Sequence, residues 1–205
     1  MTKINKDDFV ALLNQLVPDA RCELDYHNLY QLVIAVILSA QTTDASVNKA
    51  TPSLFAKYPD FHSLAKAKVS DVEKLIKTLG LYHIKAARII EVAKTIINDY
   101  QGEVPADFAT LNSIPGIGRK TANVILVEHF NVQAFPVDTH IHRIALRLGV
   151  AKKSDSITTV EQKLIKYFGD MDYKKLHHQL ILFGRYYCTA RTKENYIQEK
   201  LKSSE

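Results

Sequence analysis

Cysteine is scarce in this chain: only Cys22 and Cys188 occur among 205 residues. That excludes a disulfide-rich secreted scaffold and fits a reducing compartment, so a cytoplasmic location is expected. Two cysteines also cannot complete a four-cysteine zinc or iron–sulfur site. Long apolar runs are missing too. The longest, Leu32 to Leu38, falls far short of the roughly 20 residues that a bilayer crossing needs. Residues 1–16 hold no apolar core of signal-peptide type, so neither secretion nor a membrane partner is expected. There is no linker rich in Pro, Gly or Ser, no low-complexity run and no clear internal repeat. Strand-like alternation is scarce, with residues 133–137 the best weak candidate.

What is present reads as a folded, basic, helical protein. Lys and Arg total 27 against 22 for Asp and Glu, a net charge of +5, which makes a polyanion a reasonable partner. A hydrophobic fraction of 46% excludes a largely disordered chain. Asn5 is placed to cap a helix with the stripe Phe9, Leu12, Leu13, Leu16 and Val17, stopped by Pro18. Leu29, Leu32, Val33, Val36, Ile37 and Ala40 mark a helix apolar on most faces, the expected centre of the fold. Ser70 and Glu73 form a capping box ahead of Val72, Leu75, Ile76 and Leu79, with Gly80 as the stop. A further stripe runs from Ala86 to Ile97 and closes at Gly102. Helices are expected at about 106–113, 119–130, 139–148, 159–168 and 173–184, and in the tail after Thr192. The fold class is therefore all-α, with about ten helices.

The segment that carries chemistry is residues 111–126. Pro115, Gly116, Ile117 and Gly118 turn the chain tightly, and the two glycines permit positive φ and close backbone approach. A helix then starts at Arg119 or Lys120. The amides of the hairpin and of that first helical turn point outward, which suits a phosphate oxygen and ignores base sequence. With Arg119, Lys120 and Thr121 following, the pattern reads as a helix-hairpin-helix clamp for nucleic acid; an ordinary glycine-stopped helical hairpin is the alternative. Lys120 is out of place electrostatically, because a cation at a helix N-terminus opposes the macrodipole. It is either a solvated phosphate contact or a nucleophile. An ordinary lysine amine is neutral at pH 7 only at a cost of about 4.6 kcal/mol. A helix end supplies about 1 and at most ~2 kcal/mol. Partial burial or a neighbouring base has to supply the rest. Asp138 precedes the stripe Ile141, Ile144, Ala145 and Leu148. It suits a helix N-cap, and also a carboxylate that moves protons or stabilises positive charge.

These residues, with the segments 37–44, 46–50, 76–82, 102–105, 137–140 and 177–185, resemble the endonuclease III family of the helix-hairpin-helix/Gly-Pro-Asp DNA glycosylases. The resemblance spans residues 30–191. It implies two helical lobes: residues 22–132 as a six-helix barrel carrying the hairpin at about 108–130, and residues 1–21 with 133–205 as the second, the damaged base lying between them. It implies base excision repair of oxidised pyrimidines in duplex DNA, followed by β-elimination at the abasic site. Lys120 matches the amine that attacks C1′, and Asp138 the carboxylate that assists. Gln41 and Leu81 match residues that fill the gap left by the extruded base. Gly116, Ile117, Gly118, Arg119 and Thr121 match the DNA-binding hairpin. Ser39, Asp44 and His140 match polar pocket positions. The partner implied is double-stranded DNA bearing damaged or abasic sites, and a monomer is expected.

Without the family, Leu81 suits a hydrophobic contact at a helix end, Gln41 a polar helix terminus, and Asp44 the cap of the helix bearing Val47 and Leu54. The chain departs from the family in its C-terminal segment. Most members hold a [4Fe–4S] cluster on four cysteines there, whereas only Cys188 stands in that set and Cys22 is far away in sequence. No iron–sulfur cluster is expected, and no other cofactor. Nor is a metal site: His140 and His142, or His177 and His178, diverge on a helix. Asn112 stands where relatives often carry an acid. A DNA-binding module without activity and a mismatch or adenine glycosylase of the same fold are the competing readings. Lys120 and Asp138 together argue against the first, and Lys120 against the adenine type.

Overall fold

The computed structural model describes residues 3–202, and every regular element among them is helical. The chain divides into two compact units. The first comprises the chain up to Arg21 together with the chain from Asn131 onward; the second is Cys22–Phe130.

The second unit contains α2 (Leu29–Leu38), α3 (Asp44–Lys57), α4 (Phe61–Ala65), α5 (Val69–Ile76), α6 (Tyr82–Tyr100), α7 (Phe108–Ser113) and α8 (Arg119–Phe130). Its centre is α2, in which every residue from Leu32 to Leu38 is buried. A helix apolar on all sides is stable only when other helices surround it. Here α3, α6 and α8 pack on it. The long helix α6 carries α4 and α5 on the face marked by Ala86, Ile89, Ile90, Ala93 and Ile96.

The first unit contains α1 (Lys6–Leu16), α9 (Thr139–Arg147), α10 (Ile157–Phe168), α11 (Tyr173–Tyr186) and α12 (Tyr196–Lys202). Phe9 of α1 explains why the two ends of the chain fold together. Its ring is fully buried, 5.7 Å from Phe183 and 6.5 Å from Phe168. The Ile4 amide donates to the Leu148 carbonyl at 3.1 Å, and the Tyr167 hydroxyl donates to the Ile4 carbonyl at 3.0 Å. Asn5 caps α1 as expected, its Oδ1 accepting from the Asp7 amide at 2.7 Å.

Three local expectations are corrected. Ser70 lies inside α5, whose N-cap is Lys68 and has no side-chain cap bond. The reciprocal cap is on α4 instead, between Asp60 and Ser63. That helix of five residues is too short to show a 3.6-residue period. Gly80 does not carry the left-handed turn; Leu81 does, at φ 58°. Residues 133–137 form no strand: the Val137 amide bonds back to the Phe135 carbonyl at 2.8 Å, and residues 134–137 are buried in an irregular connection. No helix among the described residues is long and apolar enough to cross a membrane.

Ile34 is completely buried in α2. Ile34→Ala is expected to lower unfolding free energy by about 3 kcal/mol, against about 1 kcal/mol for Asn5→Ala, as read by urea titration. A loss at Ile34 no larger than that at Asn5 would contradict the placement of α2 at the centre.

Candidate active site and nucleic-acid interface

The hairpin is built from buried isoleucines on either side of a turn. Ile114 and Ile117 are each 2% exposed, and the Ile117 amide donates to the Ile114 carbonyl at 2.9 Å. With Pro115 second and Gly116 third at φ +98°, this is the pattern of a type II turn, which needs a positive φ at its third residue. Gly116 also meets α6 at van der Waals range. A Cβ there would lie 2.7 Å from Arg88 Cγ and 3.0 Å from Val92 Cγ2. Gly118 differs from expectation: it has no positive φ, and nothing lies within 4 Å of a Cβ built on it.

The Gly118 carbonyl accepts from the Ala122 amide at 2.9 Å, so α8 starts at once and the amides of Lys120 and Thr121 have no acceptor within the helix. Lys120 is exposed and Thr121 half-buried. The protein therefore does not supply the burial that an activated amine would need. Arg119 stands over the Phe108 ring, 4.7 Å from its centroid, and so ties α8 to α7.

Gln41 and Leu81 share an unusual backbone. Both are left-handed, at φ 54° and 58°, a conformation that costs a non-glycine residue roughly 1 kcal/mol or more. Leu81 is 56% exposed, and Ile84, one turn on, is 55% exposed. Ser39 ends α2 and donates its hydroxyl to the Val36 carbonyl at 2.9 Å. Thr43, not Asp44, is the N-cap of α3; Asp44 is its first helical residue and half-buried.

Asp138 and His140 belong to the other unit, on α9. Asp138 is half-buried and caps the helix: Oδ1 accepts from the His140 amide at 2.9 Å and the Ile141 amide at 2.8 Å. The His140 ring Nδ1 lies 3.0 Å from Arg143 Nη2, and its Cβ packs against Gly184. A guanidinium at that distance opposes a second cation, so His140 suits no metal through Nδ1.

The donors for a four-cysteine cluster are not in place. Cys188 is fully buried, and Arg147 Nη1 donates to its Sγ at 2.8 Å. Burial pushes its thiol up from the usual range, away from the thiolate that iron binds, although Arg147 pulls the other way. Arg143 donates to the carbonyls of Cys188 at 2.9 Å and Gly184 at 2.8 Å, and Arg147 to that of Thr192. Hydrogen bonds thus hold the turn after α11. One thiol in this segment does not fit the group.

Sequence reasoning missed two residues beside these positions, Ile84 and Lys85. Lys85 is a lysine only 3% exposed on α6. The apolar stripe from Ala86 onward signals the buried face, but a lysine next to it reads as solvent-facing.

A family model described as an HhH-GPD superfamily base excision DNA repair protein matches residues 34–169. Endonuclease III of Bacillus subtilis is 44% identical over 180 residues, 88% of this chain and 82% of the relative. A trapped covalent intermediate of an endonuclease III with DNA superposes with a TM-score of 0.82 at 41% identity, over 92% of this chain and 90% of the other. A non-covalent endonuclease III–DNA complex gives 0.83 at 37% identity, over 97% and 99%. The chain belongs to the HhH-GPD superfamily of base excision DNA repair proteins and, within it, to the endonuclease III family.

The two hairpin glycines are expected to separate under substitution. Gly116→Ala should cost about 2 kcal/mol of stability, through strain and overlap with α6. Gly118→Ala should change stability by less than about 0.5 kcal/mol but weaken duplex binding several-fold, because only a bound phosphate uses the bare backbone there. Unfolding curves and fluorescence anisotropy on both variants check this; equal destabilisation would contradict the turn geometry.

Proposed function

We propose that this protein is a bifunctional DNA glycosylase and abasic-site lyase acting on oxidised pyrimidines in duplex DNA. The observation that carries the reading is the position of Lys120: second residue of α8, directly after a turn whose backbone is fixed and whose next amides are unpaired within the helix. The amides of residues 118–121 hold a phosphate. That contact sets the neighbouring deoxyribose against the Lys120 amine. Bound DNA covers this side chain, which is exposed on its own.

The amine attacks C1′ and the damaged base leaves with the glycosidic electron pair, taking up a proton. Opening of the sugar ring gives a protonated Schiff base between Lys120 and C1′. The iminium is an electron sink, so loss of a C2′ proton expels the 3′ phosphate and breaks the strand. Water then releases the amine. Asp138 is the proposed proton acceptor and stabiliser of sugar positive charge. Its Oδ1 is fixed by two amides of α9, and Oδ2 is the oxygen outside that cap. Gln41 and Leu81 are the proposed gap-filling residues; an exposed apolar side chain held in a strained conformation suits insertion into a base stack. The resident iron–sulfur cluster of the wider family is proposed to be missing from this chain, the turn after α11 being held by Arg143 and Arg147 instead. The protein is proposed to act as a monomer in the cytoplasm.

A DNA-holding module without chemistry is the second reading, favoured by the exposure of Lys120. Borohydride reduction in the presence of duplex with a single abasic site separates the two. Wild type is expected to form a covalent adduct and nick the strand. Lys120→Ala should do neither, while retaining duplex affinity that falls steeply with salt. No adduct and no nicking by wild type would leave only the holding module. Purified protein should be colourless and iron-free, whereas stoichiometric iron would overturn the cluster-free proposal.

A further inference from the structure

Lys85 is a buried cation that the proposed chemistry does not use. It sits in the first turn of α6, 3% exposed, and no carboxylate pairs with it among the described residues. Burial lowers its amine from the usual range, the direction expected of a charge taken from water without a counter-ion. A methionine of similar shape would fill the same space without that penalty, so the polar head needs a reason. The hydrogen bonds give one. Lys85 Nζ donates to Thr42 Oγ1. That hydroxyl in turn points at the Ala40 carbonyl, at 3.4 Å, and the Thr42 amide donates to the Ser39 carbonyl at 3.0 Å. The three contacts enclose Gln41, which stands at φ 54°. On its other side, the Lys85 amide donates at 3.0 Å to the carbonyl of Leu81, which stands at φ 58°. One residue therefore bonds to the left-handed Leu81 through its amide and, through its amine, to Thr42, which directly follows the left-handed Gln41.

We infer that Lys85 is a positioning residue for base extrusion: it clamps the Gln41 turn to the start of α6, so that Gln41 and Leu81 are held at a fixed spacing as a preformed pair of wedges. The inference rests on the functional reading above. Left-handed residues of this type relax unless their surroundings over-determine them. Hydrogen bonds to a charged donor in a dry site are the strong kind that can do so.

The test uses Lys85→Met, which keeps the shape and removes the donors, Lys85→Arg, which keeps a donor, and Thr42→Val, which removes the acceptor. Three readouts are compared: single-turnover excision of an oxidised pyrimidine, borohydride trapping on a preformed abasic duplex, and fluorescence of 2-aminopurine beside the lesion. Lys85→Met is expected to slow excision about tenfold and to diminish the fluorescence rise, while trapping at the abasic site changes less than about threefold. Lys85→Arg should recover part of the excision rate, and Thr42→Val should reproduce the loss without adding to it in the double variant. Equal losses on both substrates, or wild-type excision by folded Lys85→Met, would overturn the inference. Should Lys85→Met fail to fold, Thr42→Val decides alone by the same comparison. If wild type neither excises nor traps, the functional reading fails. The fluorescence arm then decides this inference separately: a diminished rise in the variants supports it, and an unchanged rise overturns it.

Discussion

The placement of Lys120 depends on one packed turn. Ile114 and Ile117 are sunk into the core of their unit, and the turn between them holds its third residue at a positive φ, which favours glycine. Gly116 must be bare twice over, once for its positive φ and once because α6 lies against it. With both ends buried and the middle in contact, the turn has little freedom, and α8 leaves it in a fixed direction. The amine on the second residue of that helix is thereby aimed by apolar packing rather than by any polar contact of its own. Exposure of the side chain is compatible with this, because the backbone that carries it is what is held.

A second device works in the same unit. Gln41 and Leu81 both occupy a backbone region that disfavours side chains, and both present their side chains to solvent. The support comes from within: Ser39, Thr42 and Lys85 close hydrogen bonds around these residues, and α2 and α6 provide the rigid frame. In the other unit the same economy of parts is seen at Asp138, whose carboxylate caps α9 and is oriented by doing so. Oδ1 makes the cap, and the proposed proton acceptor is the other oxygen of the same group.

Much of the fold could be read from periodicity. The helices around Phe9, Leu32, Ala86 and Ile144 follow apolar spacing directly, and the cap at Asn5 followed from residue type. Signals carried by short or irregular segments were not legible. The helix α4 has less than two turns, and the connection at residues 133–137 buries its last four residues without being a strand, so its apolar residues imitate one. At the hairpin, Pro115 and Gly116 announce the turn, but the positive φ and the contact with α6 that single out Gly116 from the open Gly118 are tertiary features without a local signal. Leu81 was visible only through the family resemblance. Its left-handed backbone belongs by type to the glycine beside it, yet it stands one residue further on. Lys85 was invisible because composition assigns lysine to the surface; its burial depends on Thr42, 43 positions earlier in the chain.

The amine of Lys120, and no other, is proposed to bond to the sugar. Proteolysis of the borohydride-reduced complex with abasic duplex, followed by mass spectrometry of the modified peptide, addresses it directly. A deoxyribose-derived adduct confined to Lys120 is expected. Modification at Lys85, or spread over several surface lysines, would contradict it.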